Sequence, residues 1–326
     1  MPITAGYLHR QAHERYTADD MAGIAVVGSV NMDLVIRTPH LPASGETVIG
    51  GGFITVPGGK GANQACAAAR LGGTVRMLAR VGADPFGEQL LANLIENDLI
   101  TDDVRQVESA PTGVAVIVVH AGDNSIVIDP GANHRVTAED VRAFSAHIQS
   151  ADIVLVQLEV PLEVVDETVR VANETGTPVL LNPAPAARLS SATLSGVTYL
   201  TPNEGEAALL AGRAADESSE LEAIVKDLRQ LGVQTVCVTL GERGIAYTTA
   251  DGSLERRAAH RVEAVDTTAA GDVFNGALAV ALTEGRAFEE AVAFAQKAAA
   301  ISVTRAGAGP SIPSRVEVDR FHSEHA

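Results

Sequence analysis

The sequence contains no tryptophan, only two cysteines and few aromatic residues, which make up 3% of its 326 residues. Cys66 and Cys237 form no CxxC pair, so the sequence has neither a zinc ribbon nor a dithiol redox motif. Both lie in apolar stretches, which favours buried thiols over a catalytic cysteine. The sequence also lacks an apolar run long enough to span a bilayer and a signal-peptide core, so we expect a cytoplasmic protein.

Basic residues are scarce, because 24 Lys and Arg stand against 41 Asp and Glu, a formal net charge of −17. This charge repels nucleic-acid phosphates and anionic membranes, and no run of Lys and Arg offsets it, so we expect neither as a partner. Hydrophobic residues make up 46%, a composition typical of a folded chain that buries a large core without disulfides. The length fits one large domain, with or without a small appendage.

The hydrophobic pattern alternates between short apolar runs, such as Ile24–Val27, and stretches of helical periodicity. This alternation predicts a doubly wound, mainly parallel α/β sheet flanked by helices. Two β-rich regions, near residues 33–57 and 104–130, interrupt the alternation, and the second contains a predicted hairpin. We assign both to a small antiparallel sheet that acts as a lid. Residues 1–22 are predicted to be a disordered extension ahead of a domain that spans residues 23–326.

Several common catalytic motifs are absent. The first predicted strand continues into Gly28-Ser29-Val30-Asn31, which is not the GxGxxG fingerprint of a dinucleotide fold. The P-loop motif GxxxxGK[ST] is absent as well. Gly61 follows Gly59-Lys60 where Ser or Thr is required, and Ile54 occupies the position of the first glycine. GxSxG and HExxH do not occur, so neither a hydrolase elbow nor a zincin helix is indicated.

The strongest candidate site is the segment DTTAAGDVFNGA, in which small residues precede a predicted helix. Unpaired N–H groups and the positive dipole end of such a helix stabilise an anion, and Ala269, Ala270 and Gly271 would let a phosphate approach closely. Asp272 would repel that phosphate unless it takes a proton from an attacking hydroxyl, as a general base does. An ordinary N-cap aspartate is the alternative.

Two further segments offer groups for a polar ligand. PGGKGANQA places three glycines and a lysine before another small-residue helix, whose amides and Asn63 could bind a polyol or an anion. A tight turn is the alternative there. Asn31 and Asp33 follow the first strand, where open α/β sheets bind ligands, and their side chains suit vicinal hydroxyls. An Asx-turn is the alternative for this pair.

Two segments in the second half complete the candidates. In TPNEGE, Asn203 and Glu206 share one face of a helix start and suit contacts to hydrated Mg²⁺ and phosphate. A capping box explains the same spacing. TLGERG, residues 239–244, is a strand that ends in a glycine turn, and it also fits a hairpin.

These segments occur together in one order, and in this the chain resembles the PfkB-type (ribokinase-like) carbohydrate kinases from about Ile24 to Phe321. GGKGANQACAAARLGGTVRMLARVGADPFG is similar to the N-terminal signature of the family, and DTTAAGDVFNGAL to the C-terminal one. GSVNMDLV, GDNSIVIDPGAN and VTRAGAGPSIP are most similar to family members that act on ribose.

The resemblance implies a kinase that transfers phosphate from ATP, with Mg²⁺, to O5 of D-ribose and releases D-ribose 5-phosphate and ADP. It implies that Asp272 is the catalytic base and that the N–H groups of Ala269, Ala270 and Gly271 form an anion hole. The sugar-binding residues that it implies, besides Asp272, are Asn31, Asp33, Gly59, Lys60, Gly61, Ala62, Asn63 and Glu159. The implied ATP and Mg²⁺ residues are Asn203, Glu206, Thr239, Leu240, Gly241, Glu242, Arg243, Gly244, Gly271 and Gln296, and either Gln296 or Lys297 would lie near the adenine.

The resemblance also implies a K⁺ site beside the anion hole. Its ligands would be the side chains of Asp266 and Ser311 and the backbone carbonyls of Thr268, Ser302, Arg305 and Gly307. A homodimer through the small sheet is implied too, since its apolar face would otherwise be exposed. The alternatives are a nucleoside or deoxyribose kinase of the same family, and a non-catalytic sugar sensor. The intact Asp272 segment argues against the sensor.

Overall fold

The computed structural model describes residues 23–121, 123–213 and 220–321. The strands are β1 (Ile24–Val27), β2 (Asn31–Arg37), β3 (Gly51–Gly58), β4 (Val75–Gly82), β5 (Val104–Val107), β6 (Gly113–His120), β7 (Asp123–Asp129), β8 (Ile153–Val156), β9 (Val179–Leu181), β10 (Tyr199–Leu200), β11 (Thr235–Thr239), β12 (Ile245–Thr248) and β13 (Leu254–Arg257). The helices are α1 (Lys60–Arg70), α2 (Pro85–Glu96), α3 (Ala138–Ala143), α4 (Ser145–Ser150), α5 (Leu162–Thr175), α6 (Ser191–Ser195), α7 (Glu204–Leu210), α8 (Leu221–Gln230), α9 (Ala270–Thr283), α10 (Phe288–Ser302), α11 (Ala308–Ser311) and α12 (Arg315–Arg320).

Nine strands form the large sheet, in the order β13-β12-β11-β10-β9-β8-β1-β4-β5. Pairing is parallel from β11 to β5, and β11, β12 and β13 form an antiparallel meander at the other edge. The central strand β1 is apolar and fully buried along its length, because helices cover both faces of the sheet. The predicted doubly wound, mainly parallel sheet is confirmed.

Two hydrophobic clusters, one on each face of the sheet, form the core. One joins the sheet to α1, α2, α9, α10 and α12, and the other joins it to α3, α4, α5, α7 and α8. Helices α1 and α9 pack unusually closely, because a Cβ atom at Gly276 would lie 2.5 Å from the carbonyl oxygen of Gln64. This close contact, which only glycine permits, sets the starts of the two helices side by side.

The small sheet has the order β3-β2-β6-β7 and differs from the prediction in two respects. Its outer pairings are antiparallel, including the predicted hairpin β6–β7, but the central pair β2–β6 is parallel. Both strands start at the carboxyl edge of the large sheet and run outward from it, so they point the same way. Val104–Val107 was assigned to the small sheet and instead forms β5, which pairs with β4 at the edge of the large sheet.

The predicted disordered extension, residues 1–22, lies outside the described residues. No helix within the described ranges combines the length and the apolar character that crossing a bilayer requires.

Candidate active site

The predicted site segments converge on the carboxyl edge of the large sheet, where parallel strands bring their ends together. Residues after β1, β8, β10 and β11 meet the starts of α1 and α9 at this edge. A cavity of about 220 Å³ opens here. Its walls are formed by Lys60, Asn182, Ala184, Thr201, Asn203, Glu206, Thr239, Thr267, Ala269, Gly271, Asp272 and Asn275.

Asp272 is buried in the first turn of α9 and does not cap that helix. Its Oδ2 accepts a hydrogen bond from Asn63 Nδ2 at 3.0 Å, and its Oδ1 accepts one from Gln64 Nε2, also at 3.0 Å. The N-cap position belongs to Ala269, which makes no side-chain cap. The N-cap alternative for Asp272 is therefore wrong, and its carboxylate faces the neighbouring helix and the cavity.

The backbone ahead of α9 is strained where the anion hole was predicted. Ala269 adopts a left-handed conformation with φ 63°, which costs a non-glycine residue about 1 kcal/mol and persists only where the surroundings enforce it. The N–H group of Ala270 donates to the carbonyl of Thr267 at 3.2 Å. A Cβ atom at Gly271 would meet nothing within 4 Å, so an anion can approach the backbone there.

The glycines of GGKG bring the start of α1 against the connection between β1 and β2. Gly59 has φ 91°, and a Cβ atom on it would lie 2.6 Å from the amide nitrogen of Asn31. A Cβ atom at Gly61 would lie 2.5 Å from the amide nitrogen of Ser29. Ala62 donates its N–H to the Ser29 carbonyl at 2.9 Å. The Gly61 N–H also donates to Ser29 Oγ at 3.2 Å, so backbone packing and this side-chain hydrogen bond together join the two segments.

Glu159, which follows β8, joins three parts of the predicted sugar site. Its Oε2 accepts hydrogen bonds from Ser29 Oγ at 2.6 Å, the Lys60 N–H at 3.0 Å and Asn31 Nδ2 at 3.3 Å. Asn31 Oδ1 in turn accepts a hydrogen bond from Asn133 Nδ2 at 2.6 Å. Asn31 is thus held at both ends of its amide.

Asp33 is a buried carboxylate, and among the described residues no hydrogen-bond donor reaches it. Burial raises its pKa to about 7, and the negative charges of Glu159 and Asp272 contribute to the increase. Gly58 leaves it room, because a Cβ atom there would lie 2.4 Å from Asp33 Oδ2. An unpaired acceptor of this kind suits the hydroxyl groups of a ligand.

Lys60 projects into the cavity beside Asp272. Burial by itself lowers the pKa of the Lys60 amine, but the carboxylates of Asp272, Glu159, Glu206 and Asp33 outweigh burial and raise it. The amine therefore stays protonated and places a positive charge in the cavity, close to these carboxylates.

Asn203 and Glu206 form the capping box of α7, so this alternative from the sequence is confirmed. The Asn203 N–H donates to Glu206 Oε2 and the Glu206 N–H donates to Asn203 Oδ1, each at 2.8 Å. Both residues also line the cavity. The pKa of Glu206 is raised by burial, which outweighs the hydrogen bond from Asn203 and the positive charge of Lys60. The capping role does not remove these side chains from the site.

The segment from residue 239 to 244 is the turn of the β11–β12 hairpin, and residues Gly241–Arg243 in it form a 3₁₀ helix. A Cβ atom at Gly244 would lie 2.1 Å from the carbonyl oxygen of Arg257, so the two chain segments touch there. Gln296 is buried and donates from Nε2 to the carbonyl of Ala258 at 3.3 Å. Thr239 alone of this segment lines the cavity.

The predicted K⁺ ligands lie on the loop before α9, on the segment between α10 and α11, and at the last residues of these two helices, and Asp266 joins the loop to the segment. Asp266 Oδ1 accepts the N–H of Thr268 at 2.8 Å, and Oδ2 accepts the N–H of Gly307 at 2.9 Å. Burial raises the pKa of Asp266, but these hydrogen bonds outweigh burial and lower it. Ser311 is fully buried and donates to the Ala308 carbonyl at 2.7 Å.

Several buried polar residues of the site were not predicted from the sequence, namely Ser29, Gln64, Asn133, Gln157, Asn182 and Asn275. Asn182 directly follows β9, so its position after a strand was a usable signal. Gln64 lies within the quoted motif GGKGANQA, yet its contact to Asp272 arises only when α1 packs against α9.

The chain is similar to known carbohydrate kinases over most of its length. The sequence profile of the pfkB family carbohydrate kinases matches residues 21–315. Ribokinase of Schizosaccharomyces pombe is 43% identical over 309 residues, which cover 92% of this chain and 97% of that protein. Deoxyribokinase of Salmonella typhi is 37% identical over 302 residues, which cover 92% and 98%. The structure of Arabidopsis thaliana ribokinase complexed with ribose and ATP aligns with a TM-score of 0.83 and 33% identity, covering 92% and 99% of the two chains.

Proposed function

The chain belongs to the pfkB family of carbohydrate kinases, and we propose that it transfers the γ-phosphoryl group of ATP to O5 of D-ribose. The observation that carries this function is the position of the Asp272 carboxylate. It lines the cavity that Lys60 also lines, and its negative charge helps to raise the pKa of the buried Asp33. A base between an alcohol site and a phosphate site is the arrangement that phosphoryl transfer to a hydroxyl requires.

The sugar is bound by groups that the fold holds in place. Asp33 accepts hydrogen bonds from sugar hydroxyls, and Asn31 and Asn63 add polar groups beside it. Glu159 anchors Asn31 and the backbone of Lys60, so the loop before α1 closes one side of the sugar site. These contacts orient O5 toward Asp272, and orientation accounts for a large share of the rate enhancement in such reactions.

In the transfer step a bond forms between O5 and the γ-phosphorus as the bond from that phosphorus to the ADP oxygen breaks. The Asp272 carboxylate accepts the O5 proton. The backbone at Gly271 and the Lys60 ammonium group stabilise the negative charge on the transferring group. ADP is the leaving group. We place its binding region along the turn at residues 239–244 and beside Gln296.

Mg²⁺ fits the phosphate side as a companion of ATP. Glu206 is a buried carboxylate in the cavity, and its hydrogen bond with Asn203 occupies Oε2. Within the described ranges no group of three or more His, Cys, Asp or Glu forms a cage for a metal ion. Asn203 and Glu206 would hold the ion through its water shell, and Mg²⁺ bound with ATP neutralises phosphate charge.

K⁺ fits the loops that Asp266 joins, because the donor groups are one carboxylate, one hydroxyl and backbone carbonyls. The ligands would be Asp266, Thr268, Ser302, Arg305, Gly307 and Ser311. The ion would hold the loop ahead of α9 in the conformation that presents its backbone to phosphate. Exchanging K⁺ for Na⁺ or tetramethylammonium at constant ionic strength should lower kcat, and equal rates in all three salts would contradict the site.

A homodimer through the small sheet explains its exposed apolar residues. Phe53, Ile54, Ile126 and Val127 are 60%, 54%, 48% and 71% exposed on β3 and β7. Ile126 and Val127 are successive residues of β7 and point to opposite faces of the small sheet, so a second copy of this chain would cover one of these faces. Light scattering should give twice the chain mass, and Val127→Glu should give the monomer mass. A monomeric parent protein would contradict the dimer.

The cytoplasmic location stays a prediction.

A sugar panel tests the function directly. D-Ribose, 2-deoxy-D-ribose, D-fructose and adenosine are each assayed with Mg·ATP, and ADP release and the phosphorylated product are measured. We expect the highest kcat/KM with D-ribose and a 5-phosphate product. The 37% identity to a deoxyribokinase makes 2-deoxy-D-ribose the second candidate. A higher kcat/KM with deoxyribose or adenosine would replace ribose as the substrate.

A further inference from the structure

Gln64 is a fully buried polar residue in α1 that makes three hydrogen bonds with its amide. Its Nε2 donates to Asp272 Oδ1 and to Asn182 Oδ1, each at 3.0 Å, and its Oε1 accepts from Gln157 Nε2 at 2.7 Å. A buried amide with this many partners has one arrangement that satisfies them all. Gln64 is 0% exposed, so its side chain has no surface left for a sugar or a phosphate to touch.

The orientation of the Gln64 amide follows from its partners. An ionised carboxylate only accepts hydrogen bonds, so Gln64 must turn its nitrogen toward Asp272. Asn182 donates from Nδ2 to the carbonyl of Thr201 at 3.2 Å, which leaves its oxygen to face Gln64. Gln157 donates to the Gln64 oxygen from the opposite side. The amide therefore cannot invert without losing these bonds.

The fold makes room for Gln157 at the centre of the sheet. A Cβ atom at Gly28 would lie 2.2 Å from Gln157 Oε1, so only glycine after β1 leaves space for this side chain. Gln157 itself directly follows β8 and is fully buried. Three segments, after β1, after β8 and after β9, thus hold one glutamine against the proposed base.

We propose that Gln64 is the positioning residue for Asp272 in phosphoryl transfer, an inference that rests on the proposed function. Asn63 holds Oδ2 and Gln64 holds Oδ1, so the carboxylate cannot rotate about its Cβ–Cγ bond. One lone pair remains directed at the sugar hydroxyl. Gln64 acts through Asp272 alone, and therefore affects the transfer step rather than substrate binding.

Gln64→Met tests the proposal, because methionine is similar in length and cannot donate. A hydrogen bond to a charged group is worth enough to predict a fall in kcat of about 10- to 100-fold. KM for ribose and for ATP should stay within about threefold, since neither substrate touches Gln64. Thr168→Val is the matched control, as Thr168 is also fully buried and hydrogen-bonded, to the Val164 carbonyl in α5. It should change thermal stability and leave kcat unchanged.

Gln157→Leu provides a second variant if Gln64→Met does not fold. Gln64 then keeps its donor but loses the partner that orients it, so kcat should fall by about three- to tenfold with KM unchanged. The double variant should match Gln64→Met alone, because both changes act through one hydrogen bond to Asp272. Independent, multiplying losses would overturn the proposal.

Wild-type kcat in folded Gln64→Met, or a rise in KM with kcat unchanged, would also overturn it. The assays use whichever sugar the parent enzyme phosphorylates best. A parent that prefers another sugar therefore contradicts the proposed substrate without affecting the test of Gln64.

Discussion

Asp272→Asn should abolish sugar phosphorylation while both substrates still bind. The carboxylate accepts hydrogen bonds at both oxygens, from Asn63 and from Gln64. The replacement amide has one oxygen and one nitrogen, so its nitrogen must face one of these donors. Since Gln157 and Asn182 hold Gln64, Asn63 is the residue that loses its acceptor.

The size of the effect has two parts. Loss of the general base lowers kcat by about 10²- to 10⁴-fold, because the amide cannot take the proton. Loss of one buried hydrogen bond lowers the free energy of unfolding by about 1–3 kcal/mol. ATP should bind at least as tightly as before, since the substitution removes a negative charge from the cavity that receives its phosphates.

The measurement separates these parts. A coupled assay of ADP release gives kcat, calorimetry gives the Kd of ATP, and thermal unfolding gives stability. Asp166→Asn is the control, because Asp166 also accepts a side-chain hydrogen bond, from Thr193, far from the cavity. A kcat for Asp272→Asn within tenfold of the parent would remove Asp272 from the mechanism, and a greatly weakened ATP affinity would contradict the electrostatic reasoning.

Four further predictions concern residues of the site. Because the pKa of Asp33 is raised to about 7, the KM for ribose should rise as pH falls below 7, and Asp33→Asn should remove this dependence. Because the pKa of Asp33 is raised in the folded protein, ionisation of Asp33 lowers the free energy of unfolding as pH rises through 7. Asp33→Asn should therefore raise Tm at pH 8 more than at pH 5. Equal shifts of Tm at the two pH values would refute this. Gly61→Ala should lower both Tm and kcat, because the new Cβ meets backbone at 2.5 Å, whereas Gly51→Ala, with open space, should change neither. Lys60→Met should lower kcat by about 10²-fold or more if its charge stabilises the transferring phosphoryl group, and an unchanged kcat would exclude that role.

Local pattern predicted the alternation of strands and helices and the bounds of the first strand. Ile24–Val27 shows why, since a short apolar run specifies one local conformation. The same reasoning located the Asp272 segment, because small residues before a helix indicate a site for an anion. It assigned Val104–Val107 to the wrong sheet, because a four-residue strand carries no information about its neighbour.

For Asn203, Glu206 and Asp272, the spacing of the motifs left both a helix-capping role and a role in the site open. Contacts between residues far apart in the chain decided between them. Asn203 and Glu206 are a capping box that also lines the cavity, and only the position of Lys60 beside them shows the second role. The sequence around Asp272 also fits an N-cap. In the structure its carboxylate instead accepts hydrogen bonds from two side-chain amides of α1, more than 200 positions away in the chain.

The sequence by itself determined which segments form strands and helices, and which helix starts are bare enough to accept an anion. These are local properties, set by side-chain periodicity and by the absence of Cβ atoms at glycine. Only the tertiary structure decided that Gln64 and Asn63 meet Asp272, that Glu159 anchors Asn31, and that the centre of the small sheet is parallel. Each of these depends on which strand ends become neighbours, and that depends on packing across the whole sheet rather than on any one segment.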